Sequence, residues 1–217
     1  MNAQQASAPD ALIIVGTHCP HCPTVLAALA EMLKAGEIGR LEAVNLEARP
    51  DIAAELRVRS VPWIRIGGFV LTGLHSKAEL QQWVKRAGSV EGQAEYLAEM
   101  LGSGQVNEAE AFVRNTPGSM AAVIHLLADP EQKINVKAGL GVIIEALEGD
   151  AMLAEVVDDL GKLVESPSIE VRADACHYLG LTHSPKVRDY LMQCLQDEDE
   201  EVREIARESL SLLENEK

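Results

Sequence analysis

The sequence predicts an α/β domain of order βαβαββα over residues 1–90, followed by an all-α solenoid over residues 91–217. Three observations predict it. Short β-branched runs alternate with helical periodicities in the first stretch. In the second, no segment reads as a strand and one motif returns after 35 and again after 31 positions. The charge divides at the same place: residues 1–90 carry 9 basic and 8 acidic side chains, residues 91–217 carry 10 basic and 26 acidic ones. A near-neutral surface followed by a strongly acidic one indicates two domains.

Leu12-Ile13-Ile14-Val15 is a continuous apolar run with β-branched residues, as in a strand covered on both faces. From Cys22 to about Ala35, Val25, Leu26, Leu29, Met32 and Leu33 recur at helical spacing, and Gly36 is placed to end that helix. Leu41 to Leu46 alternates as a second strand. Pro50 opens a short helix running to Leu56. Trp63–Ile66, the Gly67-Gly68 turn and Phe69–Thr72 form a hairpin. Ser76 caps a last helix and Glu79, three residues on, closes a capping box; its core side is Leu80, Trp83 and Val84. Parallel crossovers plus a terminal hairpin imply a small mixed sheet with helices on both faces. The seam to the second domain is expected near Gly88-Ser89-Val90-Glu91-Gly92.

The second domain reads as consecutive amphipathic helices of about three turns. Asn135-Val136-Lys137-Ala138, Glu170-Val171-Arg172-Ala173 and Glu201-Val202-Arg203-Glu204 are the repeating segments, each preceded by a Pro- or acid-rich loop. Such a period with paired helices is that of an α-solenoid, in which each pair is buried by the next. Val171-Arg172-x-x-Ala175-x-x-x-Leu179-Gly180 resembles a short HEAT-like repeat, a likeness that covers 165–213 and extends back to about 120. HEAT-like arrays serve as protein-binding platforms, so the resemblance implies a protein partner on this domain.

Composition excludes several functions. A formal net charge of −15 argues against nucleic-acid binding through phosphate neutralisation. No run of about 18 apolar residues exists, so no membrane span is expected. Met1 to Asp10 contains no basic residue and no long apolar stretch. A secretory signal is therefore not expected, and a cytoplasmic location is.

The chemistry concentrates at Thr17-His18-Cys19-Pro20-His21-Cys22-Pro23. A C-x-x-C where a strand meets a helix allows two thiols to close reversibly, and beside a βαβ pattern it reads as a redox motif. The thiolate is the reactive form, and a free cysteine, with a pKa of about 8.5, is mostly protonated at neutral pH. Cys19 at the helix N-terminus would face unpaired backbone N–H groups and the positive end of the dipole. Pro20 fits the first helical position, Pro23 lies in the first turn, and a protonated His18 or His21 would further favour the anion. Cys19 is then the attacking thiol, expected exposed, and Cys22 the resolving thiol, expected buried.

These residues, together with Val58-x-Ser60-Val61-Pro62 and Gly73-x-x-Ser76-Lys77-x-x-Leu80, resemble the thioredoxin superfamily over residues 10–88. The resemblance implies a thioredoxin-like fold, a cis Val61-Pro62 bond packed beside the disulfide, and Val61 offering backbone groups to an extended substrate. Trp63, after the proline, is expected to shape the substrate groove, with ordinary strand packing as the alternative. The superfamily's usual Trp before the first Cys and buried Asp in the preceding strand are replaced by His18 and Ile13. Cys-Pro-His-Cys is similar to the DsbA family, whereas Cys-Pro-x-Cys-Pro and the compact element order resemble glutaredoxin-like oxidoreductases. Phe69-Val70 stands where glutaredoxins hold a small residue and an Asp, which leaves glutathione use doubtful.

The expectation is a cytosolic protein-disulfide reductase with a HEAT-like partner-binding domain, acting on a protein disulfide or dithiol. No cofactor is expected beyond the Cys19–Cys22 pair, and no metal. The alternative is a non-catalytic redox-sensing or metal-binding adaptor. Cys176 and Cys194 are expected in the core, the default for free cysteine. A zinc site built from Cys176, His177 and His183 is not favoured, and the acidic run 197–201 reads as a solvated loop and helix start.

Overall fold

The computed structural model describes residues 8–215; most of Met1 to Asp10, the stretch over which no export signal is expected, lies outside that range. The chain divides into two compact units, one reaching Gln93 and taking in Asn115–Pro117, the other formed by Ala94–Arg114 and the chain from Gly118.

In the first unit the order is β1 (Ala11–Val15), α1 (Cys22–Lys34), β2 (Leu41–Asn45), α2 (Pro50–Glu55), β3 (Trp63–Ile66), β4 (Phe69–Thr72) and α3 (Lys77–Ala87). The sheet runs β2-β1-β3-β4, parallel between β1 and β2 and antiparallel elsewhere. Because β1 is central and covered on both faces, Ala11 to Ile14 are all buried, as the unbroken apolar run requires. On one face Leu12, Ile14, Val44 and Trp63 pack under Ile52 and Leu56 of the α2 segment. The register sets Ile13 opposite Ile64, on the other face. Fully burying one such side chain stabilises by about 1.5–3 kcal/mol.

Helix α1 stops where Gly36 adopts φ +75°, and the Glu37 N–H returns to the Met32 carbonyl at 3.0 Å. At α3 the expected capping box is formed: the Glu79 N–H donates to Ser76 Oγ at 3.3 Å and the Ser76 N–H to Glu79 Oε2 at 2.7 Å. The Gly88–Gly92 stretch is the link from α3 to α4 (Val90–Gly102) together with the first turn of α4.

The chain continues through α5 (Val106–Asn115), α6 (Ser119–Leu127), α7 (Ile134–Ala146), α8 (Ala151–Glu155), α9 (Val157–Leu163), α10 (Ile169–Leu181), α11 (Val187–Cys194) and α12 (Glu200–Asn215), with no strand among the described residues. The three repeating segments open α7, α10 and α12, and their valines Val136, Val171 and Val202 are all buried. The basic residue after each valine binds carbonyls of the loop before it. Lys137 Nζ donates to Pro130 O at 2.9 Å, Arg172 Nη1 to Ser166 O at 3.0 Å and Arg203 Nη1 to Asp197 O at 2.7 Å. The sequence repeat is therefore a repeat of loop anchorage. Helix α10 departs from the amphipathic expectation. It packs against α7, α9, α11 and α12, so it is buried on nearly every side, as a helix in the middle of a stack must be.

Candidate active site

Cys19 lies in the loop between β1 and α1, and Cys22 is the first residue of α1. The two are joined in a disulfide with Cα atoms 5.5 Å apart. The Cys19 N–H bonds back to Gly16 O at 3.2 Å, and the Cys22 N–H points at Cys19 Sγ at 3.1 Å. That amide is one of the donors a helix leaves unpaired at its start, so it is available to a sulfur anion once the bond is reduced.

Two expectations need correction. The helix begins at Cys22, where the periodicity starts, so Cys19 and Pro20, expected at its N-terminus and first position, lie outside it, and Pro23 occupies the second helical position, where its missing N–H costs nothing. The Cys19 sulfur meets the helix end from outside, through the Cys22 amide. Cys19 is also half-buried and not fully exposed, while Cys22 is 3% exposed. His18, Pro20 and His21 are exposed around the thiol.

The Val61-Pro62 bond is cis, with Pro62 buried and Val61 half-buried. The Pro62 carbonyl accepts from Gly73 N–H at 2.9 Å, tying the proline loop to the chain after β4. Gly16 is where the cysteine loop and the proline loop meet. A Cβ on it would stand 3.1 Å from Val61 Cγ2 and 3.7 Å from Cys19 Cβ. Trp63 does not line this region. It is 6% exposed and packs with Leu12, Ile14 and Val44, because the pleat turns it to the core face of β3.

Residues that sequence reasoning left without a role also converge here. Glu47 accepts from the Thr17 N–H at 3.2 and 3.1 Å and from Thr17 Oγ1 at 3.3 Å. Asn45 Nδ2 donates to Thr17 Oγ1 at 3.2 Å, and Asn45 Oδ1 accepts from the Glu47 and Ala48 N–H groups at 2.9 and 3.1 Å. The Glu47 carboxyl is held below the usual carboxylate range, first by its own N–H and then by that of Thr17, with the charge of His18 adding to this. An Asn ending a strand ahead of a turn is the one local signal that could have pointed to this cluster.

Residues 11–85 match the family model of a thioredoxin domain, and residues 120–211 match that of HEAT repeats. The chain joins a thioredoxin-like domain to HEAT repeats. The four-stranded sheet is the core of the first, and the repeats begin at the boundary where the helical motif becomes legible. No curated protein matches the chain.

The thioredoxin-like domain carries the Cys19-x-x-Cys22 pair and the Val61-Pro62 loop, while β1 carries Ile13 and no carboxylate. In the HEAT repeats, Cys176 and Cys194 are free thiols, 0% and 3% exposed. A hydrogen bond to Cys194, reinforced by burial, pushes the Cys176 thiol well above its ordinary range. An open groove of about 520 Å³ lies between Glu95, Glu99, Gln132 and Val136, and Ile134 near it is 79% exposed. Among the described residues no group of three or more His, Cys, Asp or Glu is placed to hold a metal ion, and no helix is long and apolar enough to cross a membrane.

Proposed function

We propose that this protein is a thiol–disulfide oxidoreductase that reduces protein disulfides through Cys19 and Cys22, with its HEAT repeats engaging a protein partner. The observation that carries the reading is the Cys19–Cys22 disulfide at the start of α1, with the Cys22 amide on the Cys19 sulfur and the cis-proline loop one glycine away.

In the reduced protein the Cys19 thiolate attacks one sulfur of the substrate disulfide. A bond forms between Cys19 Sγ and that sulfur, the substrate S–S bond breaks, and the displaced sulfur leaves as a thiolate. Cys22, having lost its proton, then attacks Cys19 Sγ. This restores the Cys19–Cys22 disulfide and releases the second substrate sulfur as a thiolate, which takes up a proton. Two electrons have passed to the substrate, and an external dithiol returns them. His18 and His21 flank the attacking sulfur, and Val61 borders the path of an extended substrate. The pair is its own redox centre and calls for no cofactor. Two of the four cysteines are free, which suits a reducing compartment, and we assign the protein to the cytoplasm. The groove beside Ile134 gives the HEAT repeats a surface with apolar and acidic character for a partner.

Insulin reduction by the wild type and by Cys19→Ser tests the reading. Wild type is expected to precipitate insulin chains and Cys19→Ser to fall to the uncatalysed rate. Cys22→Ser is expected to accumulate a mixed disulfide with substrate. Equal activity of wild type and Cys19→Ser would sink the assignment.

A further inference from the structure

We propose that Glu47 is a positioning residue for Cys19, holding the β1–α1 loop through Thr17 so that the Cys19 sulfur stays on the Cys22 amide. The inference rests on the reading of Cys19 as the attacking thiol.

The loop from Gly16 to His21 has few means of holding its shape. Within it, Cys19 is fixed by its own N–H on Gly16 O and by the Cys22 N–H on its sulfur. Sideways, the loop is tied to the turn after β2 through Thr17, and that tie is Glu47 with Asn45. The cluster is closed. Asn45 Oδ1 takes the Glu47 and Ala48 N–H groups and so shapes the turn that presents the carboxylate. The carboxylate takes the Thr17 N–H and hydroxyl, and the same hydroxyl accepts from Asn45 Nδ2.

Glu47 is exposed, so its position is not explained by packing. It is explained by charge-assisted bonds to a backbone N–H that would otherwise face solvent. The tie is also close to the reacting atoms, since a Cβ on Gly16 would stand 3.5 Å from Glu47 Oε1 and 3.7 Å from Cys19 Cβ. Thr17 is two residues from Cys19, so a shift of the loop at Thr17 moves the sulfur off its donor. A thiol that loses its amide donor forms its anion less readily and reacts more slowly.

A negative charge beside Cys19 by itself opposes the thiolate, so charge and hydrogen bonding act in opposite directions. Glu47→Gln and Glu47→Ala both remove the charge, but only Gln keeps an acceptor oxygen for the Thr17 N–H. The difference between the two variants therefore isolates the tie.

The test is the rate of iodoacetamide alkylation of Cys19 in the reduced full chain at pH 7, read by mass spectrometry, with thermal unfolding as the check on folding. Glu47→Ala is expected to slow alkylation about tenfold relative to Glu47→Gln, and Asn45→Ala about threefold relative to wild type, with unfolding midpoints unchanged. Equal rates in Glu47→Ala and Glu47→Gln would overturn the proposal. If Glu47→Ala does not fold, the Asn45→Ala rate decides, and a wild-type rate there overturns it equally. Alkylation reads the thiol and not turnover. A wild type inactive on insulin whose Cys19 is nonetheless slowed by Glu47→Ala therefore removes the reductase reading and leaves the role of Glu47 standing.

Discussion

The two cysteine pairs of this chain are built on opposite principles. Cys19 and Cys22 sit three residues apart in a loop and the first turn of a helix, joined to each other, with one sulfur half-accessible and served by a backbone amide. Cys176 and Cys194 sit on neighbouring helices of the repeats, unjoined and almost wholly buried, and the Cys176 thiol is pushed away from ionisation by Cys194 and by burial. The same side chain is thus made reactive by a donor and access in one place and kept from reagents by burial in the other. Cysteine chemistry here is a property of surroundings, and the surroundings can be altered one at a time.

The largest expected effect is the contrast itself. In the reduced native protein, Cys19 should be alkylated at least about a thousandfold faster than Cys176 or Cys194, whose labelling must wait for local opening of the helices. Site-resolved mass spectrometry over a time course measures it. Comparable rates at all three would break the comparison.

Next comes the element that keeps the second pair closed. Arg172, one turn before Cys176, makes a bidentate bridge to Asp197, three residues after Cys194, at 2.8 and 2.9 Å, and also binds the Ser166 carbonyl. Both bridge partners are largely buried. Arg172→Ala removes the guanidinium from Asp197, leaving that buried carboxylate the Asp199 N–H, and takes the donor from the Ser166 carbonyl, and should destabilise the repeats by about 3 kcal/mol. If opening governs labelling, Cys176 and Cys194 should then react about a hundredfold faster, with Cys19 unchanged. Urea unfolding and the same labelling course read both numbers.

A smaller effect is expected at α3 of the thioredoxin-like domain. Ser76→Ala removes the side-chain half of the capping box and should cost about 1 kcal/mol, visible in the urea midpoint of that domain, without changing the labelling of Cys176 or Cys194.

The smallest is a pH effect. The hydrogen bond from Arg172, opposed by burial and supported by the Asp199 N–H, holds the Asp197 carboxyl below the ordinary aspartate range. A group whose folded value is depressed contributes stability that is fully present above its unfolded value and is lost as the pH falls through the folded one. The repeats should therefore lose stability on acidification below the ordinary aspartate range, and Arg172→Ala should flatten that loss. A thermal-melt series from neutral pH downward would show it as a fall in Tm in the wild type that the variant lacks.

Much of the architecture was legible because its signals are local. The unbroken run at Leu12–Val15 announced a strand buried on both faces, Gly67-Gly68 marked the hairpin, and Ser76 with Glu79 marked a helix start. Less local features were read less well. The helix opens at Cys22, where its periodicity begins, but Pro20 was assigned to the first helical position and lies outside it, while Pro23 takes the second. Trp63 was offered to the substrate groove because it follows the proline, with strand packing as the alternative, and strand alternation sent it to the core. Helix α10 was expected to have a wet face, and its neighbours on several sides narrowed it to a strip at Glu170 and His177. Glu47 was passed over because its partner, Thr17, is 30 positions away in sequence.

By itself the chain determined the order of strands and helices in the first domain, which stretch repeats, and which two cysteines stand close enough to join. Caps, turns and periodicities act over a few residues, and a C-x-x-C spans one turn. Only the tertiary structure decided which sulfur meets an amide, which aromatic is hidden, and which carboxylate steadies the reactive loop. Those outcomes depend on burial and hydrogen bonds between segments that folding alone brings together.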